Sequence, residues 1–211
     1  DDVETVEFGG FGPAWKGIVD GTVDVAFSST NSGVTYEAAA SPRGLYWPPF
    51  DPSDEAAFKR LTDVAPYYIK SRGTVGANID GTDGRDMAAF PYPILIALDT
   101  TDEDLAYNMT KAMFDLLPAY SGKTPGIEGW AIEFQQLEWV IPYHAGAIRY
   151  YKEAGVWTEE AQKHNDMLIA RQDALAAAWD ELKAAAPDDW DAAWPEKRRE
   201  ALKAGGFQVA F

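Results

Sequence analysis

Apolar residues run almost unbroken from Phe90 to Leu98, then spread out at helical intervals, with Leu105, Met109, Ala112, Met113 and Leu116 on one face. The first pattern predicts a strand buried on both sides, as in a parallel sheet covered by helices. The second predicts the helix that follows it. Thr101 stands where a cap belongs, with Asp104 three residues on. Asp102, Glu103 and Asp104 crowd the first turn, where the helix dipole favours negative charge, and Pro118 ends the pattern. Strand, acidic turn and returning helix make half of a βαβ unit. On their own these residues read as ordinary core.

The same grammar appears earlier. Val3–Phe8 alternates as a strand, Gly9 to Gly12 turns the chain, Pro13 opens a short helix over Ala14–Asp20, Gly21 closes it, and Val23–Phe27 reads as a second strand. That spacing suits a parallel crossover. The chain leaves the second strand through Ser28, Ser29, Thr30, Asn31, Ser32 and Gly33. In open α/β sheets ligands bind at the carboxyl ends of strands. A run of small hydroxyls is equally an ordinary connector. Tyr46-Trp47-Pro48-Pro49-Phe50 carries too much apolar surface to stay solvated and reads as an ordered loop.

Further along, Asp54–Val64 is an amphipathic helix and Tyr67–Lys70 an extended stretch. In the Gly-flanked turn after it, Arg72 is either a carboxylate partner or a plain surface arginine. The C-terminal third predicts helices over Ala147–Ala154, with Gly155 as cap, from Thr158 toward Ala186, and beyond Trp190. Leu168, Leu175 and Leu182 recur every seven residues, joined by Trp179. The stripe covers about two heptads, short for a coiled coil, so it is expected to pack within its own domain.

Composition narrows the chemistry. The 211 residues suffice for one large domain or two small ones. There is no cysteine, so disulfides and thiolate sites are excluded. A net charge of −16 argues against nucleic acid and against anionic membrane surfaces. No apolar run reaches the roughly 20 residues that span a bilayer. His144 and His164 lack any metal-ligand spacing. The serines lack a nucleophile elbow, and no Walker loop or dinucleotide fingerprint occurs. No metal, no cofactor and no enzymatic activity are expected. A paired-carboxylate hydrolase stays open as an alternative, decided by the separation of two carboxyl groups in a cleft.

Several segments together carry a resemblance. AWKGIVDGTVDVAF at Ala14–Phe27, Asp99–Phe114 with its preceding strand, and above all PYHAGAIRYYKEAGVW at Pro142–Trp157 resemble the TAXI family of solute receptors. These are the extracytoplasmic binding proteins of one class of TRAP transporters. The last segment follows the family's PxHxGAxRYYxExG pattern, departing at Ala145 and Ala154. The resemblance implies a type II periplasmic-binding-protein-like α/β fold, with two lobes of mixed or parallel sheet covered by helices, and a helical C-terminal extension. It implies that the sequence lacks the receptor's N-terminal third. Residues 1–85 would then be the remainder of lobe two, and residues 86–211 the strand returning to lobe one plus the C-terminal helices.

The resemblance implies a periplasmic receptor that closes on a small anionic or zwitterionic solute, an organic acid or amino acid, and hands it to membrane subunits. Site residues carried over are Ser28, Ser29, Thr30 and Asn31, with Gly73 and Thr74 in the family's GTY turn, where Val75 replaces the usual tyrosine. Arg72 and Tyr92 are further candidates, as are Arg85 and Arg149 for a carboxylate, Arg149 being the more structural. The alternative is a truncated lobe serving as an assembly module without solute. Unpaired strand edges would be exposed or covered by a second copy.

Overall fold

The computed structural model describes residues 3–210. In chain order its elements are α1 Phe11–Asp20, α2 Gly33–Ala40, α3 Glu55–Val64, β1 Ile69–Gly73, β2 Arg85–Ala89, α4 Glu103–Asp115, α5 Leu117–Tyr120, α6 Ala145–Glu153, α7 Glu159–Ala185 and α8 Trp190–Ala204. Two compact units share the chain. The first takes the sequence up to Glu55, Ile69–Ala89 and Ser121–Glu128; the second takes Ala56–Tyr68, Phe90–Tyr120 and everything from Gly129 onward. The chain passes between them more than once, one crossing falling at Ala89 and Phe90.

In the first unit, Gly10 and Gly21 bracket α1, and the left-handed Gly21 returns its N–H to Gly17 O. Trp15 is buried and donates its indole N–H to Phe27 O at 3.0 Å, which pins the segment after α1 against it. Thr35 and Ala38 are the buried face of α2. β1 and β2 pair antiparallel, with Ile69 opposite Ala89 and Gly73 opposite Arg85. Arg72 faces Asp86 across this ladder and forms an ion pair at 2.9 Å. The connection between the strands is not a surface loop: Ala77 and Ile79 are almost fully buried.

The second unit is helical. Gly146 lets α6 approach α4 backbone to backbone; a Cβ there would stand 2.3 Å from Glu103 O and 2.6 Å from Tyr107 N. His144 caps α6 by accepting from Gly146 N–H through Nδ1, and its Nε2–H donates to Thr101 O at 3.0 Å. Above the crossing, Phe114 stacks on Tyr150 at 5.4 Å, and Tyr143, Tyr151 and Trp157 continue the aromatic cluster. Burial there pushes the Tyr143 phenol up to about 12 and raises that of Tyr151. Asn165, buried on α7, accepts the Tyr143 N–H at 2.7 Å and so joins α7 to the turn before α6. At the far end Trp179 of α7 meets Trp190 and Trp194 of α8, while Leu182 and Leu202 are buried.

The expected sheet is where structure and sequence part. Among the described residues the sheet is the two-stranded β1–β2 hairpin, antiparallel. Val3–Phe8, Val23–Phe27 and Phe90–Leu98 join no ladder, so the parallel crossover and the βαβ half-unit do not form. Val25 is 86% exposed, and Ile96 and Leu98 are 73% and 74% exposed. An apolar run states a preference for burial, but a strand exists only where a neighbour accepts its backbone hydrogen bonds. The face of α4 also differs from expectation. Ala106 and Thr110 are buried, whereas Leu105, Met109 and Leu116 are exposed. The close approach at Gly146 demands small residues opposite it, and that selects Ala106 over the larger stripe. The cap of α4 is Asp102, accepting from Leu105 N–H at 2.9 Å, one residue beyond the expected Thr101.

Because Gly146 has no room for a side chain, Gly146→Ala should lower stability by about 1–3 kcal/mol through overpacking. Guanidinium unfolding followed by near-ultraviolet circular dichroism of the aromatic cluster measures it. An unchanged midpoint would mean that α4 and α6 do not cross here.

Candidate functional site

The polar turn after the Val23–Phe27 stretch is organised by Thr30. Its hydroxyl donates to Val75 O at 2.7 Å, and its carbonyl accepts from Ala77 N–H at 2.9 Å. The buried Thr35 hydroxyl lies 3.0 Å from the same carbonyl and 2.6 Å from Ser32 O, with one proton to give. The residues at 28–31 and those just past Thr74 are therefore in direct contact. Gly76, at φ 135, makes this possible: a Cβ on it would stand 2.3 Å from Thr30 O. Asn31 reaches a third segment, donating to Pro125 O at 3.0 Å.

Two hydroxyls next to these bonds are not used in the same way. Ser28 Oγ is buried without a hydrogen-bond partner. Ser32 is the N-cap of α2, yet its side chain makes no capping bond. The first turn of α2 sends Thr35 N–H and Tyr36 N–H to Ser32 O. The N–H groups of Gly33 and Val34 have no intrahelical acceptor, by the geometry of any α-helix. Ser28, Ser29 and Ser32 thus lie along the approach to a helix N-terminus, which carries partial positive charge.

Around this core the turn from Thr74 to Asp80 is held from several sides. Asp80 accepts the Gly76 N–H at 2.8 Å and the Tyr36 hydroxyl at 2.7 Å. The Gly76 amide, then the Tyr36 hydroxyl, holds the Asp80 carboxyl below the usual carboxylate range, and the same bond raises the Tyr36 phenol. Trp47 donates its indole N–H to Ala77 O at 2.8 Å and accepts from Arg85 through its own carbonyl. Asn78, at φ 58, donates to Leu45 O.

The structure thus gathers seven of the sequence-derived candidates in the first unit: Ser28, Ser29, Thr30, Asn31, Arg72, Gly73 and Thr74. Tyr92 belongs to the second unit and is 77% exposed. The Arg72 guanidinium is committed inside its hairpin, to Asp86 and to Asp83 O at 2.7 and 3.2 Å. Arg85 donates to Trp47 O. Arg149 is held by Glu103 and Asp104 and lies 4.0 Å over the Tyr107 ring. It lines an open cleft of about 360 Å³ in the second unit, with Ala145, Ile148, Lys152 and Gln162. Tyr36 and Asp80 are not among the sequence-derived candidates, and Trp47 figures there only as part of an ordered loop. Asp80, four residues past Gly76 in a Gly/Asn/Asp-rich run, carried a turn signal that could have found it. Among the described residues no group of three or more acidic or histidine side chains is placed to hold a metal ion. No helix there is long and apolar enough to cross a membrane.

A loop of hydroxyls and N–H groups beside a helix N-terminus is the furniture of a binding site for a small polar solute. The model of the NMT1-like family, a family of the periplasmic solute-binding type, matches residues 1–155. The chain belongs to the NMT1-like family. Neither a curated protein nor a solved structure matches it.

Gly76→Ala should separate the two turns, since the added carbon meets backbone on one side and needs an unfavourable φ on the other. A loss of about 1–3 kcal/mol is expected, read as a fall of about 2–4 °C in Tm per kcal/mol for a chain of this size. An unaltered melting curve would show that the Thr30 contact is not made.

Proposed function

We propose that the chain acts as the solute receptor of a TRAP-type transporter, in the manner of the TAXI receptors it resembles. It takes a small organic acid or amino acid and delivers it to membrane subunits, without catalysing a reaction. The observation that carries this reading is a pair of unengaged serine hydroxyls in the turn that leads into α2: Ser28 Oγ, buried without a partner, and Ser32, the N-cap residue, without a capping bond. A solute carboxylate placed there accepts from the serine hydroxyls and from the N–H groups of Gly33 and Val34. Ser29, Thr30, Asn31, Gly73 and Thr74 shape the walls. Since Arg72 is bound to Asp86, the carboxylate is met by these neutral donors rather than by a guanidinium.

A second reading has its own observation. The run from Tyr92 to Leu98 is apolar, largely exposed and outside any ladder, as in a module that pairs with another polypeptide or a second copy. The two readings separate by thermal-shift measurements with L-glutamate, succinate and acetate, beside light scattering of the free chain. A bound solute at about one hundred times its Kd should add about 2.7 kcal/mol of stability. Ser28→Ala combined with Ser32→Ala should remove most of that gain while leaving the unliganded Tm within about 1 °C, as for a substitution that breaks no existing bond. A flat screen with a stable dimer favours the interaction module and overturns the receptor.

A further inference from the structure

We infer that Asp80 is a positioning residue, a latch between the turn at Gly76 and helix α2 that sets the geometry of the proposed solute loop. The inference rests on the receptor reading for its purpose, but not for its geometry. One carboxylate receives two donors from different parts of the first unit: the Gly76 N–H at 2.8 Å and the Tyr36 hydroxyl on α2 at 2.7 Å. Gly76 is the residue that touches Thr30, and α2 is the helix whose first turn lies beside Ser32. Fixing the distance between Gly76 and Tyr36 therefore fixes Thr30 against the head of α2. Thr30 holds the same turn through Val75 O and the Ala77 N–H, and is itself met by the Thr35 hydroxyl of α2, while Trp47 and Asn78 hold the turn from outside through Ala77 O and Leu45 O. The Asp80 carboxylate ties the turn to α2 itself, so the loop is preorganised before solute arrives.

The latch has a pH signature. The titratable group facing Asp80 from α2 is Tyr36; from its own turn it meets the Gly76 amide. Among the described residues no Lys or Arg forms an ion pair with it. Its carboxyl is lowered in the folded chain, so the latch is fully closed above the ordinary aspartate range and is lost as pH falls through the lowered value. Asparagine in its place keeps an acceptor for Gly76 and offers an N–H to the Tyr36 oxygen, with nothing to titrate.

Amide hydrogen exchange on the unliganded chain tests this. At pH 7, Asp80→Ala should speed exchange at Gly76, Ala77 and Ile79 by about tenfold, as for two lost hydrogen bonds, with α7 amides unchanged. Tyr36→Phe should do so a few-fold, and should add nothing in the Asp80→Ala background. Asp80→Asn should restore most protection at pH 7 and abolish the extra loss of protection that the natural residue shows below about pH 4. Unchanged exchange in Asp80→Ala overturns the latch. Should that variant not fold, an unaltered Tyr36→Phe pattern does so instead. Because no solute is added, the expected exchange pattern beside a flat thermal-shift screen upholds the latch and removes only the receptor reading.

Discussion

Each unit has a glycine at a point where two stretches of backbone meet with no space for a Cβ. In the first unit Gly76 lies against Thr30; in the second Gly146 lies against Glu103 and Tyr107. The arrangement of side chains follows from these approaches. With Gly76 in place, Thr30 bonds Val75 and Ala77, the turn to Asp80 is drawn inward, and Ala77 and Ile79 become core. With Gly146 in place, α4 and α6 cross closely, His144 reaches Thr101, and the rings of Phe114, Tyr150 and Tyr151 come into contact. Close backbone contact excludes water from polar groups, so each must find a partner inside. The dense side-chain-to-backbone bonding around Thr30 is that requirement being met.

This constraint explains what was legible beforehand. Helices announce themselves locally, through caps and breakers that act within a few residues. Thr158 and Asp189 accept from their third-residue N–H groups, Gly155 is left-handed after α6, and the limits of α3, α6 and α7 fall close to the expected ones, whereas α2, whose N-cap Ser32 makes no capping bond, was not expected. The expected strands had no such local warrant. Val23–Phe27 and Phe90–Leu98 were read from apolar content, and a ladder depends on a partner elsewhere in the chain. The inward face of α4 failed for a related reason. Leu105, Met109 and Leu116 make the stronger stripe by pattern, but a helix meeting Gly146 must offer Ala106. Sequence periodicity records hydrophobicity, not the clearance a neighbour imposes.

The candidate site was legible in composition and illegible in connectivity. A serine-rich turn and a Gly-Thr turn stood out as polar punctuation, but nothing in their spacing said that Thr30 would bond Val75, forty-five residues on. Nor could the sequence show that Arg72 would be claimed by Asp86, since that follows from strand register. Tyr36 and Asp80 were invisible for the same reason: one lies on a helix, the other in a turn, and only the fold brings them within 2.7 Å.

Charge then bears on the proposed solute. The first unit holds fourteen Asp and Glu against six Lys and Arg, and Arg43, like Arg72, is paired with an aspartate. Beyond a Debye length of about 8 Å that excess is screened; within it, an approaching anion is repelled. Capture of a carboxylate must then rest on short-range donors, the serine hydroxyls and the N–H groups at the head of α2, with no long-range attraction to speed encounter. A dianion meets the repulsion twice and finds donors for one end only. A zwitterion meets it differently: its ammonium is drawn to the acidic surface while its carboxylate turns to the helix. On the proposed reading, an amino acid suits this surface better than a dicarboxylic acid, and the reason is the commitment of the arginines within the fold.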